Sequence, residues 1–455
     1  MAVVALSDPK ETRLPIGLCL AYGAGSVGIS ILLNVVSTFF PALMATVLGQ
    51  STALAGFLLT GSKLYDVGAD IAIGAASDRT RSRWGRRRPY LAVGAVIATL
   101  SIVMIFAPPP LAETPLVLYM ALGLVLYSTG YALFSIPYIA MAGEMTDGYN
   151  ERTRLFSFRV FFISAGQMLS VAGTSALIAR LHGGSEGYAV MGATMAVLIA
   201  VTMLISVFGT AGARQTQASV IKLPLRARIG LLFSNRPLVL LMSAKLAQYI
   251  SISVITSTKL LFMLNVLQLG YVGQVNLGIA QNLTSALSLP FWLKLANRIG
   301  KKEAYMLAIV LLAAVYFSWL FTGAGLSELQ VWVRGAITGV ASGGLVLLSV
   351  SMLPDVMEYD RHLSGMRREG IFSSFYSIVE KIGYAIGPAM IGWLLAVSGY
   401  IPTLQGKLVT QPESAVRALY FGTSILPTIL LAISFACIAG YKLDKAVLAR
   451  QRAEH

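Results

Sequence analysis

Lys63, Asp66 and Asp70 stand in one apolar run, three and four residues apart. A helix turning 100° and rising 1.5 Å per residue sets the two carboxylates about 40° and about 6 Å apart, with the lysine about 60° to the other side of Asp66. One helix face therefore carries a base and two acids. Two carboxylates this close repel, and burial disfavours their charged forms. The chemistry open to such a pair is reversible loading, either by a shared proton or by a cation held among oxygens. A Lys–Asp pair that only pins helix packing is the structural alternative, but one base cannot neutralise two acids. Counting back from Asp78, Asp70 lies about 12 Å and Asp66 about 18 Å along the helix.

The rest of the chain tells what kind of helix this is. Of 455 residues, 56% are hydrophobic and 12% charged, and the mean hydropathy is +0.73. Soluble domains carry roughly 25% charged residues, so a water-soluble enzyme is excluded as the leading reading, and the composition is too apolar for a disordered or fibrous chain. Segments long enough to span a bilayer, about 20 residues each, recur at 14–43, 51–77, 90–107, 115–143, 154–181, 188–209, 237–264, 271–294, 303–323, 328–354, 370–397 and 415–441. The expectation is an all-α integral membrane protein of twelve transmembrane helices. Asp66 and Asp70 then sit near the middle of a roughly 30 Å hydrocarbon core. The N-terminus lacks the pattern of a cleaved signal peptide. Cys19 and Cys437 lie in apolar runs at opposite ends and make neither a disulfide framework nor a metal spacing.

The net charge of +15 is a topology signal. Of the 35 Lys and Arg residues, 26 fall at the termini or in alternate loops: 79–88, 152–154, 214–236, 294–302 and 361–368. Basic loops stay on the cytoplasmic side, so both termini and the central loop are expected there, in a multi-pass plasma membrane and most naturally a bacterial inner membrane. No nucleic-acid partner is expected. The central loop, 210–236, separates an N-terminal six-helix half, 1–209, from a C-terminal half, 237–455. The halves echo each other: Asp78-Arg79 through Gly85-Arg86-Arg87-Arg88 follows the second span, and Asn297-Arg298-Ile299-Gly300-Lys301-Lys302 follows the eighth. An internal repeat with matched basic turns fits a secondary transporter. The turn's arginines meet headgroups and helix C-termini, and its carboxylate ties neighbouring helices in one conformation.

Charges inside hydrocarbon are costly and mark function by default. Besides the trio on span 2, the interior holds Arg159, Lys245, Lys259, Arg334, Glu380 and Lys381. Lys259 and Arg334 lie near outer ends, where snorkelling explains them. Lys245 and Lys381 lie deeper, and Glu380 points about 100° away from Lys381. The net-positive interior suits an anionic substrate group, or hydroxyls that accept from Lys and Arg. Gly23-Ala24-Gly25-Ser26-Val27-Gly28 matches GxGxxG, but inside a span it reads as close helix packing. Trp292, Trp319, Trp332 and Trp393 read as an interfacial belt. No nucleophile or metal constellation emerges, and no cofactor is expected.

At this point the motifs become recognisable. Tyr65-Asp66-Val67-Gly68-Ala69-Asp70 with Gly74, then Ser77-Asp78-Arg79-Thr80-Arg81-Ser82-Arg83-Trp84-Gly85-Arg86-Arg87-Arg88-Pro89, resembles the melibiose-permease-like glycoside–pentoside–hexuronide:cation symporters. So does Leu353-Pro354-Asp355-Val356-Met357-Glu358-Tyr359-Asp360, followed by Arg367-Arg368-Glu369-Gly370-Ile371-Phe372. The resemblance implies the major facilitator fold and cation-coupled uptake of a small solute by alternating access. It implies that Asp66 and Asp70 are cation-site carboxylates with Lys63 beside them. Arg159 then looks like the sugar-contacting arginine of span 5, and Lys381 like the lysine linking the sugar and cation sites. Gly74, Asp78, Arg79, Gly85, Arg86 and Arg87 form the conformational motif.

The chain also departs from that pattern. Melibiose permeases carry an aspartate where Ser135 stands before Ile136-Pro137, a Lys-Asp pair where span 1 reads Gly25-Ser26-Val27-Gly28, and an asparagine where Ala69 stands. Fewer oxygen ligands remain for Na+ at Asp66 and Asp70, so H+ is expected over Na+ as the coupling ion. The substrate is expected near Arg159 and Lys381, with Ser135, Tyr138 and Lys245 as further contacts. The leading expectation is a monomeric symporter importing a sugar, glycoside or hexuronide. The alternative is a related symporter for a lysophospholipid or another anionic amphipathic solute. A non-transporting receptor or scaffold would need a folded loop domain, and the longest loop is the 27-residue central one.

Overall fold

The computed structural model describes residues 13–146, 149–181, 183–212, 235–364, 369–407, 409–441 and 443. The expected bases Lys10, Arg214, Lys222, Arg226, Arg228, Arg367 and Arg368, and those of the C-terminal tail, lie outside the described residues. Every apolar segment folds into one helical rod: α1 Ile16–Val47, α2 Thr52–Arg79, α3 Arg88–Phe106, α4 Glu113–Met145, α5 149–180, α6 Gly184–Gly209, α7 Arg236–Asn265, α8 Gly270–Ile299, α9 Lys301–Phe321, α10 Glu328–Ser364, α11 Glu369–Val397 and α12 Glu413–Ala439. The largest departure from expectation is α10, which continues through Pro354 to Ser364. Its extension carries Asp355, Glu358 and Asp360 and is too polar to read as span from hydropathy. Among the described residues there is no strand, only an antiparallel bridge between Leu48 and Leu404.

Ten of these rods are long and apolar enough to cross a membrane. The other two, α2 and α8, are long enough but too polar. Lys63, Asp66 and Asp70 lower α2, and Gln274, Asn276, Gln281 and Asn282 lower α8. Both deficits fall on the second rod of a series of six.

The packing follows the same series. Rod α1 lies against α5 and α6, α3 against α4 and α6, and α2 against α4. With six added to each label, every one of these pairs recurs: α7 against α11 and α12, α9 against α10 and α12, α8 against α10. Three pairs join the sets, α2 with α11, α5 with α8 and α1 with α7. The glycine stripe of α1 is a packing surface, as its sequence suggests. A Cβ on Gly25 would lie 2.9 Å from Ser206 Oγ, and one on Gly28 would lie 2.7 Å from Met203 Cγ. The tryptophans divide. Trp332 and Trp393 are exposed, but Trp292 is buried and donates from Nε1 to Val340 O at 2.8 Å, which locks α8 to α10. Trp319 is also buried, with the Arg334 guanidinium 5.2 Å from its ring. These two are core residues, which corrects the interfacial reading.

The α2–α11 pair positions the charged site. Thr52, Gly56 and Thr60 recur every fourth residue and bring one face of α2 against α11. Thr52 Oγ1 donates to Gly392 O at 3.1 Å, and Thr60 Oγ1 donates to Ala385 O at 2.7 Å. Between them Gly56 packs on the backbone of Pro388 and Gly392. Small residues at this spacing let two helix backbones approach closely. At the Thr52 end the contact is capped by backbone bonds. The last turn of α1, Leu43–Val47, is a π-helix, which leaves its carbonyls open to partners outside the helix. Ala45 O, Val47 O and Thr46 O accept from the N–H groups of Thr403, Gln405 and Gly406 at 2.7, 2.9 and 2.8 Å. This clasp closes the end of the bundle opposite the basic turns.

Candidate functional site

Asp66 and Asp70 come from α2, where their four-residue spacing puts them on the face that meets α11. Asp66 is 3% exposed. Lys381 of α11 reaches across and pairs with both: its Nζ lies 3.1 Å from Asp66 Oδ2 and also donates to Asp70 Oδ2. Each carboxylate uses one oxygen for this purpose. Asp66 Oδ1 and Asp70 Oδ1 are buried with no hydrogen-bond partner among the described residues. Two buried carboxylate oxygens without a partner, on residues that share one ammonium, can take up a proton or a cation.

Lys63 stands elsewhere than its spacing suggests. Its ammonium donates to Tyr127 Oη of α4 at 2.8 Å and lies 5.0 Å from that ring's centre. Asp66 is within its electrostatic reach, but the base joining the two acids is Lys381. The reason is geometric: a side chain from a facing helix enters between two carboxylates, whereas Lys63 leaves the same helix to one side of them.

The next residue of α11 turns to a different neighbourhood. Glu380 is within electrostatic reach of Lys245 on α7, of Arg159 on α5, and of Tyr131, Tyr249, Tyr376 and Tyr384. Lys245 is 2% exposed. It donates to Ser349 Oγ at 3.0 Å and to Gln248 Oε1 at 3.2 Å, with the Tyr249 ring 4.4 Å away. Tyr249 Oη donates to Tyr376 Oη at 2.9 Å, and the rings of Tyr249 and Tyr384 are 5.3 Å apart. Arg159 lies 5.9 Å from the Phe156 ring, and its Nε is buried without a partner. Tyr131 stands between the neighbourhoods, its ring centre 5.7 Å from Lys381 Nζ.

Ser135 is buried one helical turn from Tyr131, on the same face of α4. Tyr138 is committed to α1. It donates to Tyr22 O at 2.5 Å, bonds Ser26 Oγ at 2.7 Å, and stacks on the Tyr22 ring at 4.4 Å. The structure therefore brings Arg159, Lys245 and Lys381 around Glu380 and the acids of α2, while Tyr138 stands behind them in the α1–α4 contact. The tyrosines and Gln248 escape a search for charges. Their signal is four-residue repetition on apolar helices: Tyr127, Tyr131 and Ser135 on α4, Lys245 and Tyr249 on α7, and Tyr376, Glu380 and Tyr384 on α11.

At the basic end the conformational motif forms an ion cluster. Arg87 pairs with Asp78 at 2.6 Å and with Glu144 at 3.0 Å, and donates to Ser77 Oγ at 2.7 Å; Arg86 pairs with Glu144 at 2.8 Å. Gly85 turns the chain into α3 at φ +85°, which glycine alone adopts freely. Gly300 does the same before α9 at φ +103°, and Lys301 pairs with Asp355 of α10 at 2.6 Å. Both turns thus tie the start of one rod to the far part of the next. Arg79 is exposed, and a Cβ on Gly74 would make only ordinary contact with Ile136, at 3.5 Å.

The model of the MFS/sugar transport protein family matches residues 21–445. An uncharacterized symporter of Synechocystis sp. is 27% identical over 94% of each chain. The isoprimeverose transporter of Lactiplantibacillus pentosus is 26% identical over 93% of this chain and 88% of its own. A bacterial homologue of the human lysosomal transporter Spinster, solved in an inward-facing and unoccupied conformation, superposes with a TM-score of 0.66 at 15% identity, over 96% of this chain and 97% of that one. At that identity the likeness is one of fold.

Proposed function

Given that the chain belongs to the MFS/sugar transport protein family, and is therefore a multi-pass membrane transporter and not an enzyme, we propose that it imports a sugar, glycoside or hexuronide by cation-coupled alternating access. The observation that carries the coupling is the Asp66–Lys381–Asp70 bridge between α2 and α11. With both acids ionised, the lysine holds α2 against α11. A proton on either carboxylate takes away one partner of the ammonium and weakens the tie. A solute that prefers the loaded state in turn favours loading, because coupling between sites is reciprocal.

Proton coupling is the better fit. A hard cation such as Na+ wants several oxygen ligands, and Asp66 and Asp70 offer two unpartnered oxygens while Lys381 holds the others. The solute's place is the region between Arg159, Lys245 and Lys381, with Ser135 and Tyr131 at its edge. Twelve spans in two halves, 1–209 and 237–455, with the 210–236 loop between them, account for helix pairings that recur with six added. The basic turns and both termini face the cytoplasm in this reading, and one chain is sufficient for transport.

The test is uptake by reconstituted vesicles under an imposed proton or sodium gradient, with glycosides and lysophospholipid as competing solutes. Asp66→Asn and Asp70→Asn should each abolish gradient-driven accumulation of the glycoside. Intact accumulation in both variants sinks the coupling mechanism, and competition by lysophospholipid but not by sugars moves the solute to the lipid class.

A further inference from the structure

We infer that the seam between α5 and α8 binds a monovalent alkali cation at Thr174, Ser175 and Gln274, apart from the acids of α2. Two contacts fix the register of this seam. A Cβ on Gly278 of α8 would lie 2.8 Å from Val171 Cγ1 of α5, and one on Gly183, just past α5, would lie 3.5 Å from the Tyr271 ring of α8. The two helices therefore run antiparallel. The Tyr271 hydroxyl meets Tyr188 Oη at 3.1 Å at the clasped end, where a Cβ on Gly184 would lie 3.3 Å from Gln405 O. Thr174 and Ser175 stand between these contacts on α5, three and four residues from Val171, and Gln274 stands between them on α8, four residues from Gly278. Each shares the face of the residue that marks the seam. All three are buried, Thr174 and Ser175 at 0% exposed and Gln274 at 1%. Thr174 Oγ1, Ser175 Oγ and Gln274 Oε1 have no hydrogen-bond partner among the described residues.

A hydroxyl inside an apolar helix ordinarily donates to a carbonyl one turn back, as Ser170 does to Gln167 O at 2.8 Å and Thr202 to Leu198 O at 2.7 Å. Thr174 and Ser175 do not. They follow the π-helical turn Leu169–Gly173, and such turns gather at functional sites. The triplet Gly-Thr-Ser recurs at 422–424, in the π-helical turn Phe421–Ile425 of α12, where both hydroxyls are again buried and unpartnered among the described residues. There the facing residue of α7 is Thr258, whose hydroxyl already donates to Val254 O at 2.7 Å. What α5 meets in addition is an open amide oxygen, on a rod of the other series of six. Three neutral oxygens suit an alkali cation, and helix carbonyls freed at irregular turns hold such ions in transporters. Divalent ions take carboxylates, and residues 171–183 and 271–278 include none. Arg180 is exposed and lies about 140° round the helix from Ser175. Bound at the seam, the cation ties the two series together and favours the form closed at the clasped end.

The experiment titrates the purified full-length protein with NaCl or KCl, in place of choline chloride at constant ionic strength, and reads the melting temperature. The wild type should rise saturably with at least one of the two salts. Asp66→Asn/Asp70→Asn should change the half-saturating concentration by less than about twofold, as separate sites act independently. Thr174→Val/Ser175→Ala should abolish the response, while Thr423→Val/Ser424→Ala on α12 should keep it. Gln274→Glu puts a charge in place of the amide. At alkaline pH it should lower the half-saturating concentration by at least about tenfold, within the reach of one charge interaction at an effective dielectric of about 20. A residue that only packs the seam would not give that gain. Should Thr174→Val/Ser175→Ala not fold, Gln274→Glu decides. A wild type without a saturable response, holding a water only at the seam, overturns the inference. So does loss of the response in Asp66→Asn/Asp70→Asn, which would place the cation at the acids of α2, or in Thr423→Val/Ser424→Ala. An unchanged response in Thr174→Val/Ser175→Ala, or a half-saturating concentration that does not fall in Gln274→Glu, overturns it equally.

Discussion

Two neighbouring residues of α11 face two kinds of buried charge. Lys381 meets Asp66 and Asp70 on α2, in direct ion pairs that join helices from opposite parts of the chain. Glu380 is within electrostatic reach of Lys245 and Arg159, and Lys245 is held by neutral oxygens of Gln248 and Ser349. Counted with Lys63 on α2, the first cluster sets two bases against two acids, and it lies where α2 and α11 must separate if the molecule is to open at the clasped end. The second has a buried donor without an acceptor, Arg159 Nε. A balanced bridge across a moving contact suits coupling, because one added proton or cation changes how firmly the contact holds. A cage with an unanswered donor suits recognition, because a ligand can supply the missing acceptor.

The largest effect should come from breaking the bridge at its base. Lys381→Met leaves two buried carboxylates facing each other without a cation. Removing one partner of a buried pair costs about 3–5 kcal/mol, so gradient-driven accumulation should fall by more than about a hundredfold. Exchange of labelled for unlabelled solute across the vesicle membrane, which needs no net cation movement, should survive. Loss of accumulation together with exchange would mean that Lys381 belongs to the solute site as much as to the coupling site, and the contrast between the two clusters would fail.

How far the sequence reaches differs between the clusters for physical reasons. The rods were legible because apolar runs of this length have one stable form in a bilayer, and the acids because charge in such a run is rare. Pairing Lys381 with residues more than 300 positions away was not legible from spacing, since helix periodicity places side chains on a face but does not choose the facing helix. Lys63 illustrates the point: its spacing puts it beside Asp66, yet the Tyr127 hydroxyl of α4 takes its ammonium. The tyrosine ring leaves a trace in the four-residue repeats. The clasp leaves none, because its donors and acceptors are backbone groups.

A middle-sized effect separates the two lysines of the balanced cluster. Lys63→Met loses a hydrogen bond to Tyr127 and the nearby charge, but no ion pair with either acid. A hydrogen bond to a charged group contributes about 1.5–3 kcal/mol, and part of that is recovered when the Tyr127 hydroxyl finds water or another acceptor. Accumulation should drop by about tenfold or less, with the same ratio of proton-driven to sodium-driven uptake. A loss as large as that of Lys381→Met, or a changed ion preference, would return Lys63 to the cation site and make the bridge a four-residue unit.

The smallest effect tests whether the charged bridge or the clasp keeps α2 and α11 together. Thr403 Oγ1 donates to Thr46 O at 3.1 Å, alongside the backbone bonds of the clasp. Thr403→Val keeps the shape and removes that one bond, at about 0.5–1.5 kcal/mol. The population open at the clasped end should rise by no more than about tenfold. Ser257 is 4% exposed and lies beneath the clasp, among α1, α2, α7 and α11. In a chain with Cys19 and Cys437 replaced by serine, Ser257→Cys reports the opening through its labelling rate with a membrane-impermeant maleimide. Lys381→Met in the same background should accelerate labelling more than Thr403→Val does, because it removes the ion pairs at the other end of the same helix contact. If the order is reversed, the backbone clasp is the main gate, and the Asp66–Lys381–Asp70 bridge follows the opening instead of governing it.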